Sequence, residues 1–132
     1  MITFVDTNIL LDVFLPDPEF GEKSSEHLER SFHEGSLIIN EIVYAELAPQ
    51  FSSQRLLDKT LLKLGIRILP IDRETAYIAG IAWQQYRRAG GKRERIISDF
   101  LIGAHALVHT DRLLTRDRGF YKIYFKNLKV IP

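Results

Sequence analysis

Short apolar runs alternate with segments of helical periodicity along this chain, and this alternation restricts the fold more than any other sequence feature. The predicted strands cover residues 2–5, 37–39, 66–69, 112–115 and 129–131. The predicted helices cover residues 8–15, 22–34, 41–47, 53–64, 73–88 and 98–109. Asn40 and Asp72 are the predicted N-caps of the third and fifth of these helices. Strands that alternate with helices in this way form an open, mainly parallel sheet covered by helices on both faces. The sequence therefore predicts the α/β fold class.

The composition is that of an ordinary globular protein, and it excludes several classes of function. The 132 residues are 45% hydrophobic and 27% charged, which predicts a single domain spanning residues 1–132. With a net charge of +1, any site for nucleic acid must be a local patch. The absence of cysteine excludes disulfides, thiolate metal ligands and cysteine nucleophiles. The sequence has neither a signal-peptide pattern nor an apolar stretch of membrane-spanning length, so we expect a cytoplasmic protein with no membrane partner.

Four acidic residues occur at or near the ends of predicted strands. Asp6 follows the first strand, and Asp117 comes two residues after the fourth. Asp99 lies at the start of the most apolar helix, and Glu46 lies on the helix after the second strand. Ligand sites of parallel sheets lie beyond the carboxyl ends of the strands, so these acids are candidates for one crevice. Each acid also has a structural explanation, because acids are common at helix N-termini, on solvated helix faces and in turns.

Several carboxylates in one crevice would repel one another and take up protons unless a cation were bound. Carboxylate oxygens are preferred ligands of Mg²⁺, and such an ion activates water for displacement at phosphorus. In the segment "FVDTNILLDVF", Asp6 would then be a metal ligand, and Thr7 and Asn8 would cap and orient the following helix.

Over nearly its whole length the chain resembles the PIN-domain nucleases, and most closely the VapC-type toxins of toxin–antitoxin pairs. Four strings carry the resemblance in the family's order and spacing: "VDTNILLDVF", "NEIVYAEL", "SDFLIGAHAL" and "LLTRDRGF". The resemblance implies a single PIN domain with a five-stranded parallel sheet between helices. It further implies an endoribonuclease that hydrolyses RNA phosphodiester bonds by a metal-activated water, leaving a 5′-phosphate and a 3′-hydroxyl. The implied partners are the RNA substrate, a cognate antitoxin and a second copy of the chain in a homodimer.

The resemblance also assigns roles to individual residues. It implies that Asp6, Glu46, Asp99 and Asp117 form an acidic quartet that binds one or two Mg²⁺ or Mn²⁺ ions. Thr115 matches a family threonine and would hydrogen-bond an acid or a bound water, which makes it a fifth predicted catalytic residue.

Basic residues next to the acids are candidates for RNA contacts. Arg93 and Arg95 lie in a loop that leads into the helix of the third acid, where they would hold phosphates. Arg116 precedes the fourth acid and is a similar case, and Asn8 is the fourth predicted substrate contact. The structural alternative for the arginines is a set of solvated surface charges.

Alternative functions and several single residues complete the predictions. One alternative is an RNA-binding PIN module without catalytic activity, and another is a phospho-receiver domain that uses Asp72. His105 is predicted to be a structural histidine rather than a general base. Asp12 is predicted to face solvent or a partner, and the aromatic residues at 121–125 either cover the sheet or join a dimer contact.

Overall fold

In the computed structural model, which describes residues 1–91 and 96–132, helices and strands alternate largely as predicted. The strands are β1 (Ile2–Val5), β2 (Ser36–Ile39), β3 (Ile66–Ile68), β4 (Arg112–Leu114) and β5 (Val130–Ile131). The helices are α1 (Thr7–Phe14), α2 (Gly21–Glu34), α3 (Glu41–Leu47), α4 (Gln54–Lys63), α5 (Arg73–Arg88), α6 (Ile97–His109) and α7 (Arg118–Tyr124). Within the described ranges, no helix is both long and apolar enough to cross a membrane.

The strands form one parallel sheet in the order β3-β2-β1-β4-β5. The chain first adds β2 and β3 on one side of β1, and it then crosses over to place β4 and β5 on the other side. The predicted open, parallel, five-stranded sheet is therefore confirmed. Where the direction of strand addition reverses, such sheets leave a crevice at the carboxyl ends of the two strands concerned, which here are β1 and β4.

The strands are short, and β1, β2 and β4 are almost entirely buried, which explains why they are apolar runs rather than alternating patterns. Phe4 in β1 is fully buried, and it lies in register with Ile38 of β2 and Leu113 of β4. Burial of the central strands fixes their register, because a shift of one residue would turn each buried side chain to the opposite face.

Helices α5 and α6 pack against each other in antiparallel orientation. Tyr86 near the end of α5 contacts the ring of Phe100 near the start of α6, with ring centroids 5.5 Å apart. At the other end of the pair, Oδ2 of Asp72, immediately before α5, lies 2.6 Å from Nε2 of His109 at the end of α6. The start of α6, which carries Asp99, is thereby held against the end of α5.

Helix α7 was not predicted from the sequence. It covers residues 118–124, and its Tyr121 is 1% exposed, while Phe125 just beyond it is 3% exposed. Phe100 of α6 makes ring contacts with Phe120, Tyr124 and Phe125. These aromatic residues therefore belong mainly to the core, and they hold α7 against the start of α6.

Gly103 marks a close approach between α6 and this aromatic cluster. A Cβ atom at Gly103 would lie 2.4 Å from Cε2 of the buried Phe125 ring. We expect Gly103→Ala to lower the free energy of unfolding by about 1–3 kcal/mol, because the added methyl group displaces a packed ring. Urea unfolding followed by circular dichroism measures this change.

Gly80 on α5 provides the matched control, because a Cβ atom there meets nothing within 4 Å. We expect Gly80→Ala to raise the free energy of unfolding by about 0.5–1 kcal/mol, since alanine is favoured over glycine inside a helix. Equal destabilisation by both substitutions would contradict this description of the α6–α7 contact.

Candidate active site

The crevice between the carboxyl ends of β1 and β4 brings Asp6 next to the residues that follow β4. The backbone N–H of Asp6 donates to the carbonyl oxygen of Leu114 at 2.9 Å, which continues the β1–β4 pairing to the end of both strands. Thr115 and Asp117 follow β4 directly. Residues more than a hundred positions apart in the sequence therefore meet at one edge of the sheet.

Asp6 is a buried carboxylate held by hydrogen bonds. The residue is 6% exposed. Its Oδ1 accepts from the backbone N–H of Thr7 at 2.7 Å, and its Oδ2 accepts from the Thr115 hydroxyl at 2.7 Å. The prediction that Thr7 and Asn8 cap α1 is wrong, because the helix begins at Thr7 and Asp6 itself is the N-cap.

The side chain of Thr7 links α1 to α3. Its hydroxyl donates to Oε1 of Glu46 at 2.7 Å. Glu46 lies in the last turn of α3 and is exposed to solvent. Asn40 caps α3 as predicted, because its Oδ1 accepts from the backbone N–H groups of Ile42 and Val43 at 3.1 Å each. The cap fixes where α3 begins, and the helix then carries Glu46 to the crevice.

The Thr115 hydroxyl makes hydrogen bonds with two of the acidic residues. Besides donating to Asp6, it accepts from the backbone N–H of Asp117 at 2.9 Å and from Nδ2 of Asn8 at 3.3 Å. Asn8 Nδ2 also lies 3.4 Å from Oδ2 of Asp6, and Asn8 Oδ1 accepts from the backbone N–H of Arg116 at 3.2 Å. A part for Thr115 in catalysis and a contact of Asn8 with RNA both stay predictions.

All four predicted acids line one cleft of about 260 Å³. Asp99 is the third residue of α6, where its carboxylate accepts from the backbone N–H of Ile96 at 3.4 Å. Asp117 immediately precedes α7. The residues that line the cleft are Asp6, Thr7, Asn8, Leu11, Glu46, Asp99, Ile102, Asp117 and Tyr121.

Tyr121 is a site residue that was not recognised in the sequence. Its hydroxyl hydrogen-bonds Asp6, and burial together with the charges of Asp6, Asp99 and Asp117 raises the pKa of Tyr121 well above its usual value. The phenol therefore stays protonated and acts as a hydrogen-bond donor beside the acids. An amphipathic pattern over residues 118–124 was the signal that could have placed this side chain on a helix.

Burial is the main cause that raises the pKa of Asp6, from 3.8 to about 6. The hydrogen bonds from Thr115, Thr7 and Tyr121 act in the opposite direction, and the charge of Glu46 adds to the increase. The direction of the shift is the one expected for a carboxylate that shares an enclosed site with other acids. A bound cation would favour the ionised form.

The chemistry of the cleft fits a hard divalent cation. Four carboxylates from separate elements supply only oxygen donors, which is the ligand set of Mg²⁺ and Mn²⁺. Among residues 1–91 and 96–132, however, no three acidic or histidine side chains stand close enough together to hold an ion. Two carboxylates instead accept hydrogen bonds from threonine hydroxyls. Binding therefore requires side-chain rotation, which is easiest for the exposed Glu46.

Asp12 and Arg116 form an ion pair beside the cleft. Arg116 Nε and Nη2 lie 2.7 and 3.0 Å from the two carboxylate oxygens of Asp12, which also accepts from the Ser24 hydroxyl at 2.6 Å. The guanidinium lies over the ring of Phe20 at 4.1 Å. The prediction that Asp12 faces solvent or a partner is wrong, because α2 packs against α1 and leaves Asp12 only 4% exposed. The Arg116 side chain is 36% exposed, and its contact with RNA stays a prediction.

Of the remaining predicted residues, two lie outside the described part of the chain, and His105 and Asp72 lie apart from the cleft. Arg93 and Arg95 fall outside the described residues. His105 is fully buried and does not line the cleft, which agrees with a structural histidine. Asp72 caps α5 by accepting from the backbone N–H of Thr75 at 3.0 Å, and it also contacts His109. Nothing in this arrangement supports Asp72 as the phosphate acceptor of a receiver domain.

Comparison with known proteins identifies a family. A family model described as the PIN domain matches residues 3–126. Comparison with curated proteins gives no match.

Several solved structures are similar to this chain along its length. VapBC2 from Rickettsia felis, bound to a DNA fragment from its promoter, has 20% identity and a TM-score of 0.75, covering 99% of this chain and 98% of that chain. FitAcB from Neisseria gonorrhoeae has 26% identity and a TM-score of 0.72, covering 100% and 97%. A toxin–antitoxin complex from Klebsiella pneumoniae has 21% identity and a TM-score of 0.70, covering 98% and 96%. At 20% and 21% identity, the first and third comparisons show likeness of fold.

The raised pKa of Asp6 predicts how the metal-free protein responds to pH. A proton on Asp6 favours the folded state, so its stabilising contribution is complete below pH 3.8 and is lost as the pH rises through about 6. Above that range, the ionised carboxylate lowers the free energy of unfolding by about 3 kcal/mol. We expect Asp6→Asn to remove this loss, and urea unfolding in EDTA between about pH 4 and pH 8 measures it.

The variant and the wild type should be equally stable at the acidic end of that range, and the variant should be the more stable one at the basic end. Glu74→Gln, which changes an exposed acid of α5, is the control and should show no such divergence. A difference between Asp6→Asn and wild type that does not vary with pH would contradict the prediction.

Proposed function

The chain belongs to the PIN domain family, and from this we propose that residues 1–132 form one PIN domain that acts as a metal-dependent endoribonuclease. The proposed reaction is hydrolysis of an RNA phosphodiester bond. The observation that carries the proposal is the convergence of four carboxylates from four separate segments of the chain on one cleft, which lies at the carboxyl ends of β1 and β4. A structural role alone does not explain this convergence, because carboxylates gathered around the buried Asp6 repel one another.

In this proposal, Asp6, Glu46, Asp99 and Asp117 hold one or two Mg²⁺ or Mn²⁺ ions. A bound ion would activate a water molecule and offset the negative charge that develops on the phosphate during displacement. The protein's own contribution is to orient the carboxylates and to hold them close to the scissile bond.

The hydroxyl groups around Asp6 would set the orientation of that carboxylate. Thr115 donates to its Oδ2, and the protonated Tyr121 hydroxyl hydrogen-bonds the same side chain. Thr115 also accepts from the backbone N–H of Asp117, so a single hydroxyl couples the positions of two proposed ligands. Partners of this kind tune metal affinity without binding the metal themselves.

Basic residues that neighbour the acids in the sequence would hold the RNA backbone. Arg93 and Arg95 precede α6 in the sequence, and Arg116 lies next to the proposed ligand Asp117. Contacts to phosphate would position the strand without reading its sequence. Asn8 would contribute through its amide, which lies inside the network of the cleft.

We further propose that the protein is the toxin of a toxin–antitoxin pair in the cytoplasm, that it forms a homodimer and that a cognate antitoxin binds it. The PIN-domain match and the likeness to FitAcB at 26% identity support this proposal. The partner is then a separate protein, and RNA remains the substrate.

The proposed reaction predicts metal-dependent cleavage that requires Asp6. Purified protein, freed of any partner, is incubated with end-labelled structured RNAs in EDTA, Mg²⁺ or Mn²⁺. We expect cleavage only with a divalent ion, and a loss of about 100-fold or more in Asp6→Asn, because a ligand is at least as important as its hydrogen-bonding partners. Denaturing gel electrophoresis gives the rates.

Glu74→Gln serves as the control, since it removes an exposed acid outside the cleft and should cleave at the wild-type rate. Cleavage that persists in Asp6→Asn would indicate a contaminating nuclease. RNA binding without cleavage under either ion would instead support the alternative of a PIN module without catalytic activity.

The toxin role predicts that activity harms the cell that makes it. We expect induced expression of the wild-type chain to arrest bacterial growth, and expression of Asp6→Asn at the same level to leave growth unaffected. Optical density and immunoblotting measure growth and expression together. Growth arrest by both forms would argue against RNA cleavage as the cause.

A further inference from the structure

A buried hydrogen bond joins the helix that carries Glu46 to the helix that carries Asp99. Nδ2 of Asn40 lies 3.0 Å from Nδ1 of His105, and both residues are fully buried. Asn40 comes six residues before Glu46, and His105 comes six residues after Asp99. The bond therefore links α3 to α6 behind the cleft rather than inside it.

The direction of this hydrogen bond follows from the other contacts of Asn40. Its Oδ1 accepts from the backbone N–H groups of Ile42 and Val43, so its NH₂ group must face His105. An amide NH₂ group only donates, so Nδ1 of His105 is the acceptor and the proton of the neutral ring is on Nε2. The contact therefore requires an uncharged imidazole.

The surroundings of His105 make its orientation depend on this contact. Its Nε2 is buried and has no hydrogen-bond partner among the described residues. The ring otherwise touches Phe4 of β1 at 5.7 Å and His109 of the same helix at 5.5 Å, measured between ring centroids. These ring contacts have little directionality, so Asn40 supplies the polar contact that fixes the ring.

Burial is the main cause that lowers the pKa of His105, and the nearby His109 acts in the same direction. Asp72 before α5 and Glu41 at the start of α3 act in the opposite direction. A proton on Nδ1 would set two donors against each other and break the link between the helices. The neutral ring and the intact link therefore belong to the same state of the protein.

We propose that Asn40 and His105 are positioning residues that set the separation of Glu46 and Asp99 across the cleft. This inference rests on the proposed function, in which both acids bind the metal. The Asn40 amide makes two kinds of contact: its oxygen caps α3, and its NH₂ group donates to His105 of α6. Loss of the bond frees each helix from the other without removing either carboxylate.

Two substitutions remove the bond from opposite sides. Asn40→Ser keeps a capping oxygen for α3 but is too short to reach His105. His105→Phe keeps an aromatic ring in the core but removes the acceptor. We expect each to weaken the binding of Mn²⁺ about tenfold, measured by titration calorimetry near neutral pH. We also expect kcat for RNA cleavage to fall while KM stays unchanged.

The Mn²⁺ affinity of the double variant should equal that of the single variant with the lower affinity, because both changes remove the same contact. Additive losses would mean that the two residues act independently, and they would overturn the proposal.

Thr3→Val is the matched control for general destabilisation. It removes a buried hydrogen bond of similar kind, because the Thr3 hydroxyl accepts from Nε of Arg112 at 2.8 Å near the start of β1, away from the cleft. We expect Thr3→Val to lower the unfolding temperature but to leave Mn²⁺ affinity and kcat unchanged. A loss of affinity equal to that of Asn40→Ser would overturn the proposal.

Nitrogen NMR of the imidazole groups tests the hydrogen bond separately from metal binding and catalysis. In the wild type, Nδ1 of His105 should be unprotonated and Nε2 protonated at neutral pH. In Asn40→Asp, a carboxylate oxygen would face Nδ1, so the pKa of His105 should rise and Nδ1 should gain a proton. A proton on Nδ1 in the wild type would overturn the proposal.

Asp6→Asn distinguishes failure of this inference from failure of the proposed function. If Asp6→Asn abolishes Mn²⁺ binding while Asn40→Ser and His105→Phe bind as the wild type does, the positioning role is wrong and the metal site stands. If the wild type binds no Mn²⁺, the proposed function fails, and the positioning role fails with it.

Discussion

The burial of one carboxylate at the junction of β1 and β4 is the constraint around which this site is arranged. Asp6 cannot move away from the apolar sheet, because its backbone continues the β1–β4 pairing and its side chain begins α1. The structure limits the unfavourable free energy of that burial by surrounding the carboxylate with donors from Thr7, Thr115 and Tyr121. The same donors determine its orientation, so stability and the geometry of the cleft depend on the same contacts.

The parts of the fold that were predictable from the sequence are those encoded by neighbouring residues. Short apolar runs and helical periodicity gave the α/β class, and Asn40 and Asp72 were correctly recognised as N-caps. The four acids were recognisable because each occurs where an element begins or within one short helix, and parallel strands direct such positions to the same edge of a sheet. No long-range information was needed for these predictions beyond the parallel order itself.

The features that were missed depend on which helices pack together. The prediction that Asp12 faces solvent or a partner fails because the sequence alone does not reveal that α2 covers that face of α1 and that Arg116 reaches across it. Tyr121 was not placed in the cleft, because α7 is short and its aromatic residues fit a sheet cover or a dimer contact equally well. The bond between Asn40 and His105 joins positions 65 residues apart, and no local pattern encodes it.

The pairing of β1 with β4 joins residues more than a hundred positions apart, and it determines when the cleft forms during folding. Two of its acids come from the first half of the chain, and the other two come from residues 99 and 117. Non-local strand pairs of this kind form late in folding, because a long loop must close first. A chain still emerging from the ribosome, or a folding intermediate without β4, therefore has only part of the acidic cluster. Under the proposed activity, such a molecule would be harmless to the RNA that surrounds it.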